Sequence, residues 1–206
     1  MHRIFLILSF AVVLLGGILN SHAMIRKPKP KALTANIGFT NITIDGVNNS
    51  DFSAFNHFHL DFSFLRYPKL KWYRYGLGIN ITPDLAFKNV VWSNGTSGNY
   101  LVSLQNIYVN FGGYFKKRFL WAFLGGYESV SFRGSPTAGA SKLNYFTPGF
   151  EFGFFWKQEG KLYFPIFLRY WQKPSRTITF SNYPNDTMIA QPGHAIEVDI
   201  GVQYGF

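Results

Sequence analysis

The stretch AIEVDIGVQYGF, residues 195–206, alternates apolar and polar side chains over its whole length. Its apolar positions are Ile196, Val198, Ile200, Val202, Tyr204 and Phe206. Its other positions are Glu197, Asp199, Gly201 and Gln203. Because successive side chains leave a β-strand on opposite faces, this period of two predicts a strand with one apolar face and one charged face.

The same alternation recurs along the chain and predicts further strands of similar length. Their approximate bounds are residues 33–44, 55–67, 72–82, 100–115, 119–132, 143–156 and 162–172. The segment 100–115 alternates less cleanly than the others, which predicts a bulge within it. With residues 195–206 the chain therefore has eight predicted strands, an even number.

Two kinds of connection alternate between these strands. The short and basic ones are residues 68–71, 116–118 and 157–161. The longer ones, rich in Gly, Asn, Ser and Pro, are residues 45–54, 83–99, 133–142 and 174–194. Short turns at one end and long loops at the other are typical of bacterial outer-membrane barrels, in which the short turns are periplasmic.

Five acidic residues and two arginines within the predicted strands share the polar face of their strand. They are Asp61, Arg74, Glu128, Glu151, Arg169, Glu197 and Asp199. A charge that faces lipid at depth costs up to about 2–4 kcal/mol, so this one-sidedness indicates two chemically distinct faces. We expect these residues to form an ion network that plugs the lumen.

Arg169 is the expected centre of that network. A hairpin register that pairs Trp156 with Leu162 puts Glu151 opposite Phe167 and makes Arg169 a diagonal neighbour of Glu151. Counting from the shared periplasmic end brings Asp199 level with Arg169. An eight-stranded lumen is just wide enough to be filled by side chains, so we expect Gly, Ser and Asn inside it and Phe outside.

The N-terminal segment predicts export. Residues 1–23 combine a basic start, an apolar stretch from Ile4 to Leu19 and the small-x-small sequence Ser21-His22-Ala23, which together predict a secretory signal peptide. An uncleaved anchor is the alternative, but the apolar stretch is short for a membrane span. Residues 24–32 are basic and proline-rich and predict a periplasmic tail, and residues 33–206 are the predicted barrel domain.

Composition narrows the class of protein. The chain has no Cys, which excludes disulfides and thiol chemistry, and it has 23 Phe, 12 Tyr and 5 Trp. A soluble lipocalin-like barrel with an apolar interior has the same alternation. Aromatic residues near the turn ends favour the membrane barrel, because its interfaces carry aromatic girdles. These residues are Tyr73, Phe119, Trp121, Trp156, Tyr204 and Phe206.

Together these features resemble the small eight-stranded outer-membrane proteins of the OmpA transmembrane-domain and opacity-protein type. The resemblance implies an all-β, eight-stranded antiparallel up-and-down transmembrane β-barrel in the bacterial outer membrane. It also implies that the barrel-assembly machinery reads the final strand, with Tyr204 and Phe206 as the assembly signal. We predict a monomer that contacts outer-membrane lipid and lipopolysaccharide and has no enzymatic activity and no cofactor.

The net charge of +10 raises the alternative of nucleic-acid binding. The basic residues lie in the tail and at the turn ends, without an aromatic-interleaved patch, so the sequence favours contact with lipid headgroups and predicts no nucleic-acid partner. We expect extracellular basic residues to contact lipopolysaccharide phosphates. These are Lys88, Arg133, Lys142, Lys173 and Arg176.

A lipid A hydrolase is the alternative function. Ser181, Asp186 and His194, in the connection before the last strand, would be its nucleophile, orienting acid and base. The sequence TFSN around Ser181 resembles the His-x-Ser-Asn element of lipid A deacylases of the outer membrane. Thr179 stands where that family has its histidine, which removes the base from the expected place.

Two further alternatives are a metal site and a pore. His57 and His59 share a face with Asp61 and would offer ligands to a metal, but hydrogen-bonded filling of the lumen is the favoured interpretation. A passive water-filled pore needs about twice as many strands.

Overall fold

A computed structural model gives the structure of the chain. It describes residues 28–43, 54–68, 72–91, 97–115, 118–134, 140–174, 176–180, 183–190 and 193–206. The predicted signal peptide and the first part of the predicted tail lie outside these residues. In the described part of the chain, no helix is long and apolar enough to cross a membrane.

The described residues form ten β-strands. They are β1 (Lys31–Thr43), β2 (Ala54–Arg66), β3 (Tyr73–Val91), β4 (Ser97–Phe115), β5 (Phe119–Gly134), β6 (Ala140–Glu159), β7 (Leu162–Lys173), β8 (Arg176–Phe180), β9 (Tyr183–Ala190) and β10 (Gly193–Gly205). Strands β1 to β7 and β10 close an antiparallel barrel, and β8 and β9 form a separate hairpin. The predicted eight-stranded up-and-down barrel is confirmed.

Pairing between the first and last strands closes the barrel. Ala32 of β1 lies opposite Gly205 of β10, and the pairing continues to Thr43 and His194. One end of the barrel carries the short connections between strands and is called the turn end, and the opposite end is called the loop end. At the turn end, the Phe206 amide donates to the Lys31 carbonyl at 2.9 Å. Each of the eight barrel strands thus pairs with a neighbour on both sides, and a closed sheet of this kind is the condition for strands to span lipid.

Several barrel strands are longer than predicted, and three of them extend furthest into the predicted loops. β3 continues to Val91, β4 begins at Ser97 and β6 begins at Ala140, so much of the predicted loops 83–99 and 133–142 is strand. Backbone amides and carbonyls pair whatever side chain they carry. Segments rich in Gly, Asn and Ser therefore continue the ladder beyond the region where the alternation is clear.

The predicted bulge falls in β3 rather than in the fourth strand. The register between β3 and β4 slips between Thr82 and Leu85 and again between Phe87 and Val90, with the additional residue in β3 each time. Pro83 lies within the first slip and has no N–H group to give to the ladder, which explains the irregularity there.

The predicted register of the β6–β7 hairpin is wrong. Glu159 pairs with Leu162, so the turn is shorter than the sequence indicated, and Gly160 adopts the positive φ of 60° that glycine favours. The β6–β7 register also shifts by one residue between Phe155 and Lys157, with the additional residue in β6. Together these changes place Glu151 directly opposite Arg169.

The outer face of the barrel is apolar and its inner face is largely polar. The most exposed large apolar side chains, all 59–68% exposed, are Ile37, Phe58, Trp72, Leu77, Ile107, Phe123 and Phe146. Charged and amide side chains of the same strands are buried inside. A soluble barrel has the reverse arrangement, because water then contacts its outer face.

A hydrophobic core fills the turn end of the lumen. Its members are Ala32, Leu65, Tyr67, Leu120, Phe155, Tyr163 and Phe167, each 1% exposed or less. The expectation that Phe is excluded from the lumen is therefore wrong. Space for the Phe167 ring comes from its register partner Gly153, where a Cβ atom would overlap that ring.

Candidate functional site in the barrel lumen

Arg169 of β7 lies at the centre of a buried ion network. Its Nε donates to Glu151 Oε2 at 2.7 Å, and its Nη2 donates to Asp61 Oδ1 at 3.1 Å. Its Nη1 lies 2.7 Å from Asp199 Oδ2 and 4.0 Å from Glu197 Oε2. One guanidinium thus joins carboxylates from β2, β6 and β10.

Arg74 of β3 supplies a second guanidinium to the same network. It hydrogen-bonds to Glu151 Oε1, so the Glu151 carboxylate lies between two arginines. Arg74 and Arg169 also lie over the same aromatic ring, with their Cζ atoms 5.9 and 5.3 Å from the Phe167 ring centroid. These cation–π contacts offset part of the cost of burying the two charges.

Asp61 is held by donors from three other strands. Asn36 Nδ2 donates to its Oδ1 at 2.8 Å and Tyr108 hydroxyl donates to its Oδ2 at 2.7 Å, in addition to the bond from Arg169. Each oxygen of this fully buried carboxylate therefore has a donor, as buried charge requires.

His59 and Asp199 meet in front of Gly38. Gly38 of β1 is the register partner of both residues, one on each neighbouring strand. His59 Nε2 lies 2.6 Å from Asp199 Oδ1, and His59 Nδ1 lies 2.7 Å from Thr40 Oγ1. A Cβ atom at Gly38 would overlap His59 Nε2 and Asp199 Oδ1, so the missing side chain makes room for the contact.

Glu128 forms a separate group nearer the loop end. It is paired with Lys173 and also accepts a hydrogen bond from the Tyr145 hydroxyl. Lys173 is 3% exposed and faces the lumen. The expectation that Lys173 contacts lipopolysaccharide is therefore wrong.

The structure brings together most of the residues that the sequence placed in the lumen network. Arg169 and five others form one connected group, and the five are Asp61, Arg74, Glu151, Glu197 and Asp199. Glu128 pairs with Lys173 instead. Sequence reasoning missed Tyr108 as a member, although it shares the face of its neighbours Asn106 and Asn110.

Of the three candidate hydrolase residues, the structure describes the side chain of His194 alone. His194 belongs to β10 rather than to a loop, pairs with Gln172, and stacks its ring on Tyr170 at 6.0 Å. Ser181 lies outside the described residues, and Asp186 is described only as a backbone position of β9. The expected loop position of His194 is wrong.

The histidine pair has different neighbours from those that the sequence indicated. Asp61 is occupied by Arg169, Asn36 and Tyr108, whereas His59 lies with Glu197 and Asp199. Ligand atoms of this second set lie within 4.8 Å of one another. His57 is buried two residues nearer the loop end.

The remaining candidate surface residues lie at the two rims. Tyr204 and Phe206 are about half exposed at the turn end, with stacked rings 6.3 Å apart. Arg133 is exposed and pairs with Asp84, and Lys142 is exposed as well. The side chains of Lys88 and Arg176 lie outside the part of the chain that the structure describes.

Aromatic rings pack against one another on the outside of the turn end. Trp72 stacks on Trp121 with centroids 6.0 Å apart, and Phe115 stacks on Phe119 at 4.9 Å. Amphipathic rings concentrated at one level around a barrel are typical of a membrane–water interface.

No protein-family model matches the chain, and no curated protein matches it by sequence. Solved structures do match. The barrel is similar to Ail, the attachment invasion locus protein of Yersinia pestis, with a TM-score of 0.53, 10% identity and coverage of 86% of this chain and 98% of Ail. It is also similar to Neisserial surface protein A, with a TM-score of 0.54, 10% identity and coverage of 86% and 97%.

A third similar structure is the outer membrane protein AlkL, with a TM-score of 0.52, 13% identity and coverage of 91% of this chain and 95% of AlkL. The chain has the fold of small bacterial outer-membrane barrels. At such low identities the likeness extends to the fold alone, so the function has to be argued from the residues of this chain.

Proposed function

We propose that the protein is an integral outer-membrane β-barrel with an envelope-structural or surface-binding role and no enzymatic activity. The proposal rests on one observation, the apolar outer face of the barrel around a charged interior. Exposed apolar patches on soluble monomers rarely exceed a few hundred Å², and a belt around a whole barrel is compatible with lipid rather than with water.

The filled lumen supports a role other than passive conduction. The hydrophobic core occupies the turn end, and the Arg169 network lies between it and the loop end, with charged side chains from β2, β3, β6, β7 and β10. Neither layer leaves the wide aqueous channel of a many-stranded porin. We therefore expect any specific contact with a binding partner at the loop end of the barrel.

The loop end is where a surface partner would bind. The β8–β9 hairpin belongs to the chain connection between β7 and β10 at this end. Strands β3, β4 and β6 extend towards the same end. Loops carried on a rigid scaffold are common binding elements. We expect lipopolysaccharide to contact the exposed basic residues of this rim, represented by Lys142 and Arg133, and we expect the barrel to be a monomer.

Expression in a Gram-negative host tests the proposal. The protein should fractionate with the outer membrane, resist extraction by urea and migrate differently on gels before and after boiling. Purified protein in planar bilayers should show no steady open channel. Recovery as a soluble periplasmic protein would contradict the membrane assignment, and a stable, large conductance would contradict the filled lumen.

A further inference from the structure

His59, Glu197 and Asp199 form a compact set of metal-ligand groups inside the barrel. One ligand atom from each lies within 4.8 Å of the others, and all three residues are buried. They come from β2 and β10, which flank β1 at Gly38. Gly38 leaves the space in which the imidazole and the carboxylate approach each other.

The charge of the surrounding network is unbalanced. Four buried carboxylates, those of Asp61, Glu151, Glu197 and Asp199, face two guanidinium groups, those of Arg74 and Arg169. With neutral His59 this leaves a formal charge of −2 on these described residues of the network. Buried charge without a counter-charge is strongly unfavourable, and one divalent cation would make the network neutral.

The hydrogen-bond partners of the four carboxylates indicate where positive charge is missing. Glu197 has weak polar contacts in the described part of the chain: Asn80 Nδ2 lies at 3.3 and 3.4 Å, Arg169 Nη1 lies at 4.0 Å, and the nearby Trp171 indole N–H makes no hydrogen bond of good geometry. Asp199 Oδ2 is fully buried and has no hydrogen bond of acceptable geometry, although Arg169 Nη1 is 2.7 Å away. By contrast, Asp61 and Glu151 have donors on both oxygens.

We propose that His59, Glu197 and Asp199 bind one divalent transition-metal cation. His59 would bind it through Nε2, and Asp199 would bind through Oδ1 while Oδ2 stays with Arg169. Thr40 Oγ1 contacts the other imidazole nitrogen, Nδ1. The Thr40 hydroxyl would accept a hydrogen bond from His59 Nδ1–H, which holds the ring in the tautomer whose Nε2 lone pair is free for the metal.

The donor set selects the class of metal. One imidazole nitrogen with two carboxylates suits Zn²⁺, Mn²⁺ or Fe²⁺, whereas Ca²⁺ and Mg²⁺ prefer oxygen ligands alone. This site differs from the sequence-predicted set of His57, His59 and Asp61, because Asp61 is already occupied by Arg169, Asn36 and Tyr108.

The experiment uses the full barrel, folded in detergent, without a polyhistidine tag and stripped of metal with a chelator. Zn²⁺ is the probe in equilibrium dialysis and calorimetry, and Co²⁺ replaces it for absorption spectroscopy. His59→Gln and Glu197→Gln test the site. His57→Gln and His194→Gln are the matched controls, one from the same face of β2 and one from the outer face of β10.

We expect one Zn²⁺ per barrel, a Co²⁺ spectrum of a nitrogen–oxygen site, and a loss of affinity of at least about 100-fold in His59→Gln and Glu197→Gln. The two controls should bind as the wild type does. Absence of stoichiometric binding by the wild type would overturn the proposal and leave protons as the balancing charge. Binding that is lost in His57→Gln and kept in Glu197→Gln would overturn it in favour of another donor set.

Folding of each variant is checked by the difference in gel migration before and after boiling. If His59→Gln does not fold, the stoichiometry and the Co²⁺ spectrum of the wild type decide the question alone. A Co²⁺ spectrum without a nitrogen ligand would then count against the site.

Discussion

Arg169 of β7 and Glu151 of β6 are direct register partners, and Arg169 Nε donates to Glu151 Oε2 at 2.7 Å inside the barrel. Both side chains are almost completely buried. An isolated ion pair in such a place seldom recovers the cost of desolvation. Here the Arg169 guanidinium also reaches Asp61 and Asp199, so the pair is stabilised as part of a network.

Replacing Arg169 by Ala should strongly destabilise the barrel. The variant would leave Asp61, Glu151 and Asp199 close together without their shared cation, which costs about 3–5 kcal/mol for a buried pair that loses one partner. Urea unfolding in lipid vesicles, followed by Trp fluorescence and by gel migration, measures the change in the free energy of unfolding.

Arg133→Ala is the matched control for that experiment. Arg133 also pairs with an aspartate, Asp84, but its side chain is 54% exposed and that of Asp84 is 45% exposed. Exposed pairs contribute at most about 1 kcal/mol. Equal loss of stability in Arg169→Ala and Arg133→Ala would show that the buried network contributes no more to the free energy of unfolding than an exposed ion pair.

The fold was accessible from sequence because alternation is a local signal. In the closing strand, Glu197 and Asp199 face inward and Val198 faces outward, as their parity predicts. The register was not accessible. The slip after Phe155 and the two-residue turn at Gly160 shift the β6–β7 pairing, and no local pattern fixes either feature.

The candidate site depends on register and on volume together. His59 and Asp199 are 140 residues apart, and they meet only because closure of the barrel pairs both with Gly38. The lumen core was missed for a related reason. Phe167 shares the face of Arg169, which is visible in the sequence, but the space for its ring comes from Gly153 on another strand.

Gly78→Ala should displace Tyr108 from the lumen. Gly78 is the register partner of Tyr108, and a Cβ atom there would overlap the phenol ring, which has little freedom to move. We expect a loss of about 1–3 kcal/mol from overpacking, including the strain on the bond from Tyr108 to Asp61. Equilibrium unfolding in vesicles measures it.

Gly125→Ala provides the comparison for Gly78→Ala. Its Cβ atom would lie 3.3 Å from Phe146 Cζ, 3.4 Å from Phe146 Cε2 and 3.5 Å from Val109 Cγ2 on the outer face, without overlap. Since alanine is less costly than glycine within a strand, this variant should be as stable as the wild type or slightly more stable. A Gly78→Ala barrel as stable as Gly125→Ala would show that the Tyr108 position is not sterically fixed.

Phe155→Ala should cost about 3–5 kcal/mol, because it opens a cavity in the lumen core. Phe123→Ala removes the same atoms from a side chain that is 62% exposed on the outer face, where lipid fills the space, and it should cost much less. Thermal unfolding of both proteins in the same detergent compares them. The opposite order of stability would contradict the placement of Phe155 inside the barrel.

Ser181→Ala and His194→Ala should leave lipid A unchanged. His194 stacks on Tyr170 on the outer side of β10, a packing contact that accounts for its position without a catalytic role. Mass spectrometry of lipid A from cells that express the wild type or either variant checks this. A modification that depends on the wild type and disappears in either variant would establish the hydrolase alternative.

Phe206→Ser should lower the amount of folded protein in the outer membrane, as the resemblance to small outer-membrane barrels implies for an assembly signal at Tyr204 and Phe206. The Phe206 amide also donates to the Lys31 carbonyl beside the closing β1–β10 seam, and its ring stacks on Tyr204. Phe115→Ser is the control, because Phe115 is exposed to the same degree at the same end of the barrel, 46% against 47%. Immunoblots of unboiled outer-membrane fractions measure folded protein. If recognition of Phe206 drives assembly, its substitution lowers the folded fraction much more than that of Phe115. Equal loss in both variants would mean that apolar area at the interface, rather than a recognised aromatic residue, is what the membrane requires.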